Sequence, residues 1–380
     1  MSEMHVMSAD SHVMEPADFW ATRLDVKYRD QAPRVVKNDK GAGYVFVAPG
    51  ISPFPVAGGF GTGRSGKELK EHLSKGYEAA RPSGWDPAER IKDQDIDGVE
   101  AEVLYTTLGM RLFSLDNAGL QRACFGAYND WLAEFCSYNP KRLVGNALVS
   151  LEDIGEGIKE LERCARIGLR GAMIWGSAPE DRPYSSRIYD PFWQAASELE
   201  MPLSLHVITG RGRESKLEVD PKTGNIVSLA GPTRLEMYAN VIHEIQRSLT
   251  SLIVSGVLER FPRLKLVSAE NDVGWLPHYM YRLDHAWEKY SALTPEPLPL
   301  RPSDYMRRQL WATFQDDPVG PATYKFFGQN NYMWASDFPH TDSTWPNSRK
   351  VIERDFVGVP DDVTRKIVFE NAAKLYRIQA

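Results

Sequence analysis

The sequence predicts an α/β fold: a single domain over residues 1–380 in which eight parallel strands and their helices form a (β/α)8 TIM barrel. Strand-like and helical segments alternate from residue 86 to the C-terminal region, as is typical of parallel βαβ units. With the first strand near residue 10 there are eight strands, the number that most simply closes into a barrel. The 380 residues also exceed the roughly 250 that a barrel needs, which leaves room for insertions.

The first strand is followed by a predicted insertion over about residues 30–85. Residues 34–50 predict a small hairpin, and residues 48–68 are so rich in Gly and Pro that we expect a mobile loop near a pocket. These glycines match no phosphate-binding loop, because neither GxxxxGK[ST] nor a strand-to-helix GxGxxG is present. A nucleotide cradle is therefore not predicted.

The remaining elements follow in regular alternation. We predict helices at about 86–94, 117–138, 153–167, 189–199, 234–260, 275–292, 319–328 and 361–376. We predict strands at 98–105, 143–149, 169–175, 201–206, 264–269, 309–314 and 332–336. A doubly wound open sheet is the second interpretation, because it is built from the same βαβ units.

Composition excludes several classes of protein. The formal net charge of -6 argues against a nucleic-acid-binding protein, which would normally carry a basic surface. No apolar run approaches the roughly 20 residues that span a bilayer, so no membrane association is predicted. The three cysteines form no CxxC pair. We expect them to be buried free thiols, which favours a cytoplasmic protein.

Ionisable residues cluster where the predicted strands end. Chemistry in a barrel lies at the C-terminal ends of the strands, and three of the eight histidines of the chain fall there. Asp and Glu residues accompany them, and all three residue types are ligands of Zn, Mn and Fe. The strand-end residues are Asp10, His12, His206, Glu270, Asp337 and His340.

These residues predict an open metal site that activates a bound water or a substrate oxygen. Asp10 and His12 are two apart on a strand, so their side chains point the same way. Two further acceptors are held in reserve: His243, at the start of the helix before strand six, and Glu15, whose alternative role is to place a negative charge at a helix N-terminus. The candidate ligands are thus Asp10, His12, His206, Glu270, Asp337 and His243, and the candidate catalytic groups are Glu270, Asp337, His243 and His340.

The sequence resembles the amidohydrolase-2 branch of the metal-dependent (β/α)8 amidohydrolases, which includes aminocarboxymuconate-semialdehyde, resorcylate and carboxyvanillate decarboxylases. The resemblance covers nearly the whole chain and is carried by five segments: Asp10-Ser-His12, His206, the segment from Ser255 to Lys265, Ser336-Asp-Phe-Pro-His340, and the segment from Glu370 to Tyr376. It implies that Asp10, His12, His206 and Asp337 bind the metal.

Two positions depart from the pattern of this family. Decarboxylating relatives usually carry His at the strand-six position, where this chain has Glu270, and many carry His-x-His where this chain has Asp10-Ser-His12. Carboxylates add negative charge and hard oxygen donors, which shifts the expected divalent metal from Zn toward Mn or Fe. The number of candidate ligands also leaves two metals per site open.

Three functions follow from this pattern. The first is a metal-dependent hydrolase or non-oxidative decarboxylase that acts on a small carboxylate or carbonyl substrate, with Glu270 as general acid or base. The second is a dinuclear non-haem Fe or Mn/Fe oxygenase in which Glu270 bridges the metals. The third is a non-catalytic subunit of a hetero-oligomer. Relatives are commonly oligomers, so the resemblance implies a homo- or hetero-oligomer.

Overall fold

The computed structural model describes residues 4–39, 43–210, 218–219, 226–227, 239–294 and 296–378. Its centre is an eight-stranded parallel sheet whose strands follow one another in chain order, which confirms the predicted barrel. We number these strands β1 Met7–His12, β2 Ala101–Tyr105, β3 Leu143–Leu148, β4 Gly171–Ile174, β5 Leu203–His206, β6 Leu266–Ala269, β7 Leu310–Phe314 and β8 Tyr332–Trp334.

The barrel closes between β8 and β1 through main-chain hydrogen bonds just beyond the end of β8. The N–H of Asp337 donates to the carbonyl of Asp10 at 3.0 Å, and the N–H of His12 donates to the carbonyl of Phe338 at 2.7 Å. The register of β1 against β2 shifts between Ser8 and Ser11. This seam therefore joins the two segments that carry four of the predicted site residues.

The helices surround the barrel close to the predicted positions. Side chains cap several N-termini: Asn117, for example, accepts a hydrogen bond from the N–H of Leu120. The α-helices are Phe19–Arg23, Val26–Arg29, Gly66–Leu73, Pro87–Asp97, Ala118–Ser137, Ile154–Arg166, Asp190–Glu198, Ile242–Val254, Val257–Arg260, Leu276–Tyr290, Pro302–Gln309, Val319–Ala322, Ser348–Asp355, Asp361–Arg365 and Asn371–Leu375, the last two joined by the π-helix Lys366–Glu370.

Two helix predictions need correction. The helix predicted at 319–328 covers only Val319–Ala322, and residues 323–330 form turns in which Gly328 has a φ of +101°, a value that no α-helix contains. The helix predicted at 234–260 is divided at Gly256, whose φ of +74° starts a new short helix. Residues 234–238 of that prediction lie outside the described residues.

The insertion after β1 is more regular than the sequence suggests. The predicted hairpin is present as Arg34–Lys37 paired with Tyr44–Ala48, and a third strand, Ile51–Pro55, extends it. The prediction of a loop over residues 48–68 was wrong, because these residues include that strand, a 3-10 turn and the start of a helix. Hydrogen bonds from Thr62 N–H to Pro339 O and from Thr341 N–H to Gly58 O, both 3.1 Å, attach it to the segment after β8.

The core is formed by the strands and the inward faces of the helices. All three cysteines are buried free thiols, as predicted. Within the described part of the chain, no helix combines the length and apolarity that a bilayer span needs.

Candidate metal centre

Five side chains from four strand ends converge at the C-terminal mouth of the barrel. Nε2 of His12 lies 3.5 Å from Asp10 Oδ1, 3.6 Å from Glu270 Oε2 and 3.3 Å from Asp337 Oδ1. Nε2 of His206 lies 3.7 Å from Asp10 Oδ1 and 3.3 Å from Glu270 Oε2. The side chains of Asp10, His12, His206, Glu270 and Asp337 form what we call the ligand cluster.

The converging atoms have no hydrogen-bond partner among the described residues, although they are buried. Buried polar atoms in proteins are almost always paired, so a group of unpaired ones needs a missing partner. A cation fits here because lone pairs from nitrogen and oxygen point at one place. The unpaired atoms include Asp10 Oδ1, His12 Nε2, His206 Nε2, Glu270 Oε2 and Asp337 Oδ2.

The separations within the ligand cluster are compatible with one ion or with two. Ligand atoms about 2.1 Å from a single metal lie about 3.0–3.5 Å from their nearest neighbours in octahedral or tetrahedral geometry. The separations between imidazole nitrogens and carboxylate oxygens run from 3.3 to 3.7 Å. Among the described residues, the potential ligands form two groups that share His12, one with Asp10 and His206 and the other with Glu270, Asp337 and His340.

Both histidines are oriented by main-chain carbonyls. Nδ1 of His12 is 2.8 Å from Thr106 O, and Nδ1 of His206 is 3.1 Å from Val207 O. Because a carbonyl oxygen only accepts, each Nδ1 carries a hydrogen, and each Nε2 presents its lone pair to the cluster whenever the imidazole is neutral.

The carboxylates are held by β7 and by their own backbone. The hydroxyl of Thr313 donates to Asp10 Oδ2 at 2.9 Å and accepts from the N–H of Glu270 at 2.8 Å. Glu270 and Asp337 both have φ of +54°, in the left-handed region that side chains other than Gly rarely adopt. Such strained backbone concentrates at functional sites.

The surroundings of the ligand cluster shift the pKa values of Glu270 and Asp337 in opposite directions. Burial, together with the nearby charge of Asp337, raises the pKa of Glu270. Burial also acts to raise the pKa of Asp337, but His340 and His12 outweigh it and hold that pKa below its usual range. In the metal-free site, Asp337 is therefore the anion and Glu270 is the carboxyl that keeps its proton more readily.

His340 borders the ligand cluster on one side. Its Nδ1 is 3.0 Å from Asp337 Oδ1, and its ring stacks on that of His12 with centroids 3.9 Å apart. Its Nε2 is 3.0 Å from the hydroxyl of Thr107. The structure thus places His340 beside the predicted ligands.

Two further candidates from the sequence, His243 and Glu15, lie outside the ligand cluster. His243 is exposed on the helix Ile242–Val254, and it does not belong to either potential metal-binding group found among the described residues. Glu15 is buried, but its oxygens accept hydrogen bonds from the hydroxyl of Thr106 and from the N–H groups of Leu108 and Gly109. Glu15 therefore holds the loop after β2.

Sequence reasoning missed the groups that orient the ligands. Thr106 follows β2 and Thr313 lies in β7, so the same strand-end criterion could have identified both had it included hydroxyl residues. A third such group is Arg90, whose guanidinium donates to the carbonyl of His12 at 2.7 Å. It lies in the helix Pro87–Asp97, where nothing in the sequence pattern distinguishes it from a surface arginine.

Comparison with known proteins identifies the family. The model of the family described as "Amidohydrolase" matches residues 17–378. The chain belongs to the amidohydrolase family. The resemblance inferred from the sequence is confirmed, and with it the prediction of a metal-dependent enzyme of this family. The assignment of individual ligands stays a prediction.

Relatives with known names include decarboxylases. The chain is 28% identical over 267 residues to a gamma-resorcylate decarboxylase of Rhizobium sp., a match that covers 66% of this chain and 75% of the relative. An amidohydrolase structure from Mycobacterium avium subsp. paratuberculosis matches with a TM-score of 0.75, 20% identity and full coverage of both chains. A dihydroxybenzoic acid decarboxylase structure from Polaromonas sp. JS666, with bound manganese and the inhibitor 2-nitroresorcinol, matches with a TM-score of 0.64 and 17% identity over 99% of this chain and 98% of that one.

Proposed function

We propose that this amidohydrolase is a non-oxidative decarboxylase of hydroxylated aromatic carboxylic acids that uses one divalent metal ion such as Mn²⁺. The observation that carries the proposal is the convergence of unpaired, buried nitrogen and oxygen atoms at the mouth of the barrel. The similarity to gamma-resorcylate decarboxylase supports the reaction type. The manganese in the dihydroxybenzoic acid decarboxylase supports the metal.

Four side chains would hold the ion: Asp10, His12, His206 and Asp337. Their donor set of two imidazoles and two carboxylates suits a borderline or hard divalent ion. A bound ion would supply positive charge that orients the carboxylate and hydroxyl oxygens of the substrate. His340 would position Asp337, from which its Nδ1 is 3.0 Å distant.

Glu270 is the proton donor in this proposal. Its raised pKa keeps a proton available near neutral pH. The ring carbon that bears the carboxylate takes this proton and forms a C–H bond. The C–C bond to the carboxylate then breaks, its electron pair restores the aromatic ring, and CO2 leaves. Glu270 regains its proton from solvent, so the sum is arene carboxylate plus proton giving arene plus CO2.

The test combines metal analysis with an oxygen-free assay. Purified chain loaded with Mn²⁺ is incubated without O2 with 2,6-dihydroxybenzoate and related hydroxybenzoates, and CO2 and the decarboxylated product are measured. We expect about one ion per chain and turnover that does not need O2. Chelator-treated protein is the control, and activity should return when Mn²⁺ is added back.

Other outcomes would replace the proposal. Two irons per chain with O2 consumption would support the oxygenase. Hydrolysis of amide or ester substrates without CO2 release would support the hydrolase. A chain that binds no metal until a second protein is present would support a non-catalytic subunit.

We further propose that the enzyme is a cytoplasmic oligomer. The resemblance to oligomeric relatives supports the assembly, and the free buried thiols support the compartment. Light scattering of the purified chain measures the oligomeric state.

A further inference from the structure

A fully buried arginine lies behind the seam that closes the barrel. Arg90, in the helix Pro87–Asp97, has no solvent exposure. Its Nη1 donates to the carbonyl of His12 at 2.7 Å, and its Nη2 donates to the carbonyl of Phe338 at 3.3 Å. The guanidinium therefore bridges the backbone of β1 to the backbone of the segment that follows β8.

The two carbonyls belong to the segments that carry the metal ligands. His12 is itself a proposed ligand, and Phe338 directly follows the ligand Asp337. The carbonyl of Phe338 also accepts a hydrogen bond from the N–H of His12 at 2.7 Å, so it accepts from both the backbone of β1 and the guanidinium of Arg90. The guanidinium lies over the ring of Phe338, 4.6 Å from its centroid, which adds a cation–π contact.

The charge of Arg90 is balanced inside the protein. Its Nε donates to Glu102 Oε2 at 2.6 Å, and the same oxygen accepts from Gln94 Nε2 at 2.7 Å. Burying an ion pair is costly, and apolar residues of similar volume often stabilise a fold as well or better. The planar fork of arginine, however, can reach two carbonyls at once, which an apolar side chain cannot do.

We propose that Arg90 is a positioning residue that fixes the spacing between the ligands on β1, Asp10 and His12, and the ligand after β8, Asp337. The inference rests on the metal site of the proposed function. Among the described residues, two main-chain hydrogen bonds join Asp10 and His12 to residues 337–338, and the guanidinium adds a second kind of connection. Without it, the carbonyls of His12 and Phe338 separate, and the ligand atoms on β1 lose their spacing from Asp337.

The test measures metal affinity, independently of turnover. Mn²⁺ is titrated into metal-free wild type and the variants Arg90→Met and Arg90→Lys, with free Mn²⁺ followed by electron paramagnetic resonance. We expect Arg90→Met to weaken Mn²⁺ binding by roughly tenfold or more, as changes behind metal ligands commonly do. Arg90→Lys keeps one donor and should fall between, and both variants should broaden the signal of the bound ion.

A matched arginine at the other end of the same strands is the control. Arg349 donates to the carbonyls of Met4 at 2.6 Å and Gly98 at 2.7 Å, before β1 and β2 begin. Arg349→Met should lower thermal stability yet leave the Mn²⁺ dissociation constant and spectrum unchanged. A merely structural role for Arg90 predicts the same behaviour for both variants.

The outcomes distinguish this inference from the proposed function. Wild type that binds no Mn²⁺ would overturn the proposed function. Wild-type binding with an unchanged affinity in Arg90→Met would overturn only the role of Arg90. If Arg90→Met does not fold, Arg90→Lys decides: an affinity and spectrum equal to wild type overturn the inference, and a weakened affinity supports it.

Discussion

Glu15 and the carboxylates of the ligand cluster lie at the same end of the barrel, but they differ in the hydrogen-bond donors that surround them. Glu15 receives an O–H from Thr106 and N–H groups from Leu108 and Gly109. In the ligand cluster, Glu270 Oε2 and Asp337 Oδ2 have no hydrogen-bond partner among the described residues. These unpaired oxygen atoms are buried, as Glu15 is, so hydrogen bonding distinguishes a carboxylate that supports the fold from carboxylates that are available to a ligand.

The difference shows which buried carboxyl groups are stabilised by hydrogen bonds from the protein itself. Glu15 is stabilised by donors from a loop that it also orders. The carboxylates of the ligand cluster face one another and two imidazoles whose hydrogens are directed elsewhere. A cation removes that conflict, because it pairs with all of them at once. The following predictions test this comparison.

Asp337→Ala should have the largest effect on function. It removes a carboxylate whose ion-pair partners among the described residues are His12 and His340, so we expect metal affinity to fall sharply and turnover to fall by about 10³-fold, the equivalent of several kcal/mol of metal-derived stabilisation. The metal-free fold should be kept, because like charges are relieved. Metal content, CO2 release and circular dichroism measure the three effects. Full metal content with normal turnover would remove Asp337 from the site.

Glu270→Gln should separate proton transfer from metal binding. We expect turnover to fall by about 10²-fold, as is typical for loss of a general acid, while about one ion per chain is retained. Metal analysis alongside the anaerobic assay measures both. Loss of the metal together with activity would instead make Glu270 a ligand and would revive the bridging role.

The composition of the ligand cluster was largely predictable from sequence because barrel topology brings strand ends together. Asp10, His12, His206, Glu270 and Asp337 were all predicted as strand-end residues, and the structure brings them together. His243 was chosen by its place near a helix start, and the structure leaves it exposed and outside both groups of potential ligands found among the described residues. A position at the end of a strand is therefore a better predictor of a site residue in this barrel than a position at the start of a helix.

A strand-end criterion that included hydroxyl residues could have identified Thr106 and Thr313, but the contacts that orient the ligands were not predictable, since they join distant segments. Thr313 of β7 joins Asp10 and Glu270, and Arg90 reaches carbonyls 78 and 248 positions away. The regular structure in residues 48–68 likewise involves main-chain contacts with other segments, since the strand Ile51–Pro55 pairs with Tyr44–Ala48, and Gly58 and Thr62 bond to the segment after β8. A Gly- and Pro-rich composition does not indicate such contacts.

Glu15→Gln should weaken the fold and leave the metal in place. Gln keeps one acceptor oxygen but places an NH2 group against main-chain N–H groups, which costs about 1–3 kcal/mol for a buried acceptor that is lost. Urea unfolding of metal-free protein at pH 7 measures this cost. Glu71→Gln, on the exposed face of the helix Gly66–Leu73, is the control and should change little. A drop in metal content at saturating Mn²⁺ would place Glu15 in the ligand set.

The cost of Glu15→Gln should also shrink as the pH rises. Burial raises the pKa of Glu15, although hydrogen bonds from Thr106, Leu108 and Gly109 oppose the rise. Above its ordinary value of about 4.5, the unfolded chain releases the proton while the folded chain retains it, so wild-type stability falls with pH until the folded pKa is passed. Gln does not titrate, and the carboxylates of the ligand cluster titrate in both proteins, so their contributions cancel in the difference. Urea unfolding of both metal-free proteins from pH 5 to pH 8 should therefore show the two free energies of unfolding converging, by at most about 1.4 kcal/mol per pH unit. A constant or widening gap would mean that the hydrogen bonds outweigh burial and that Glu15 is an anion throughout.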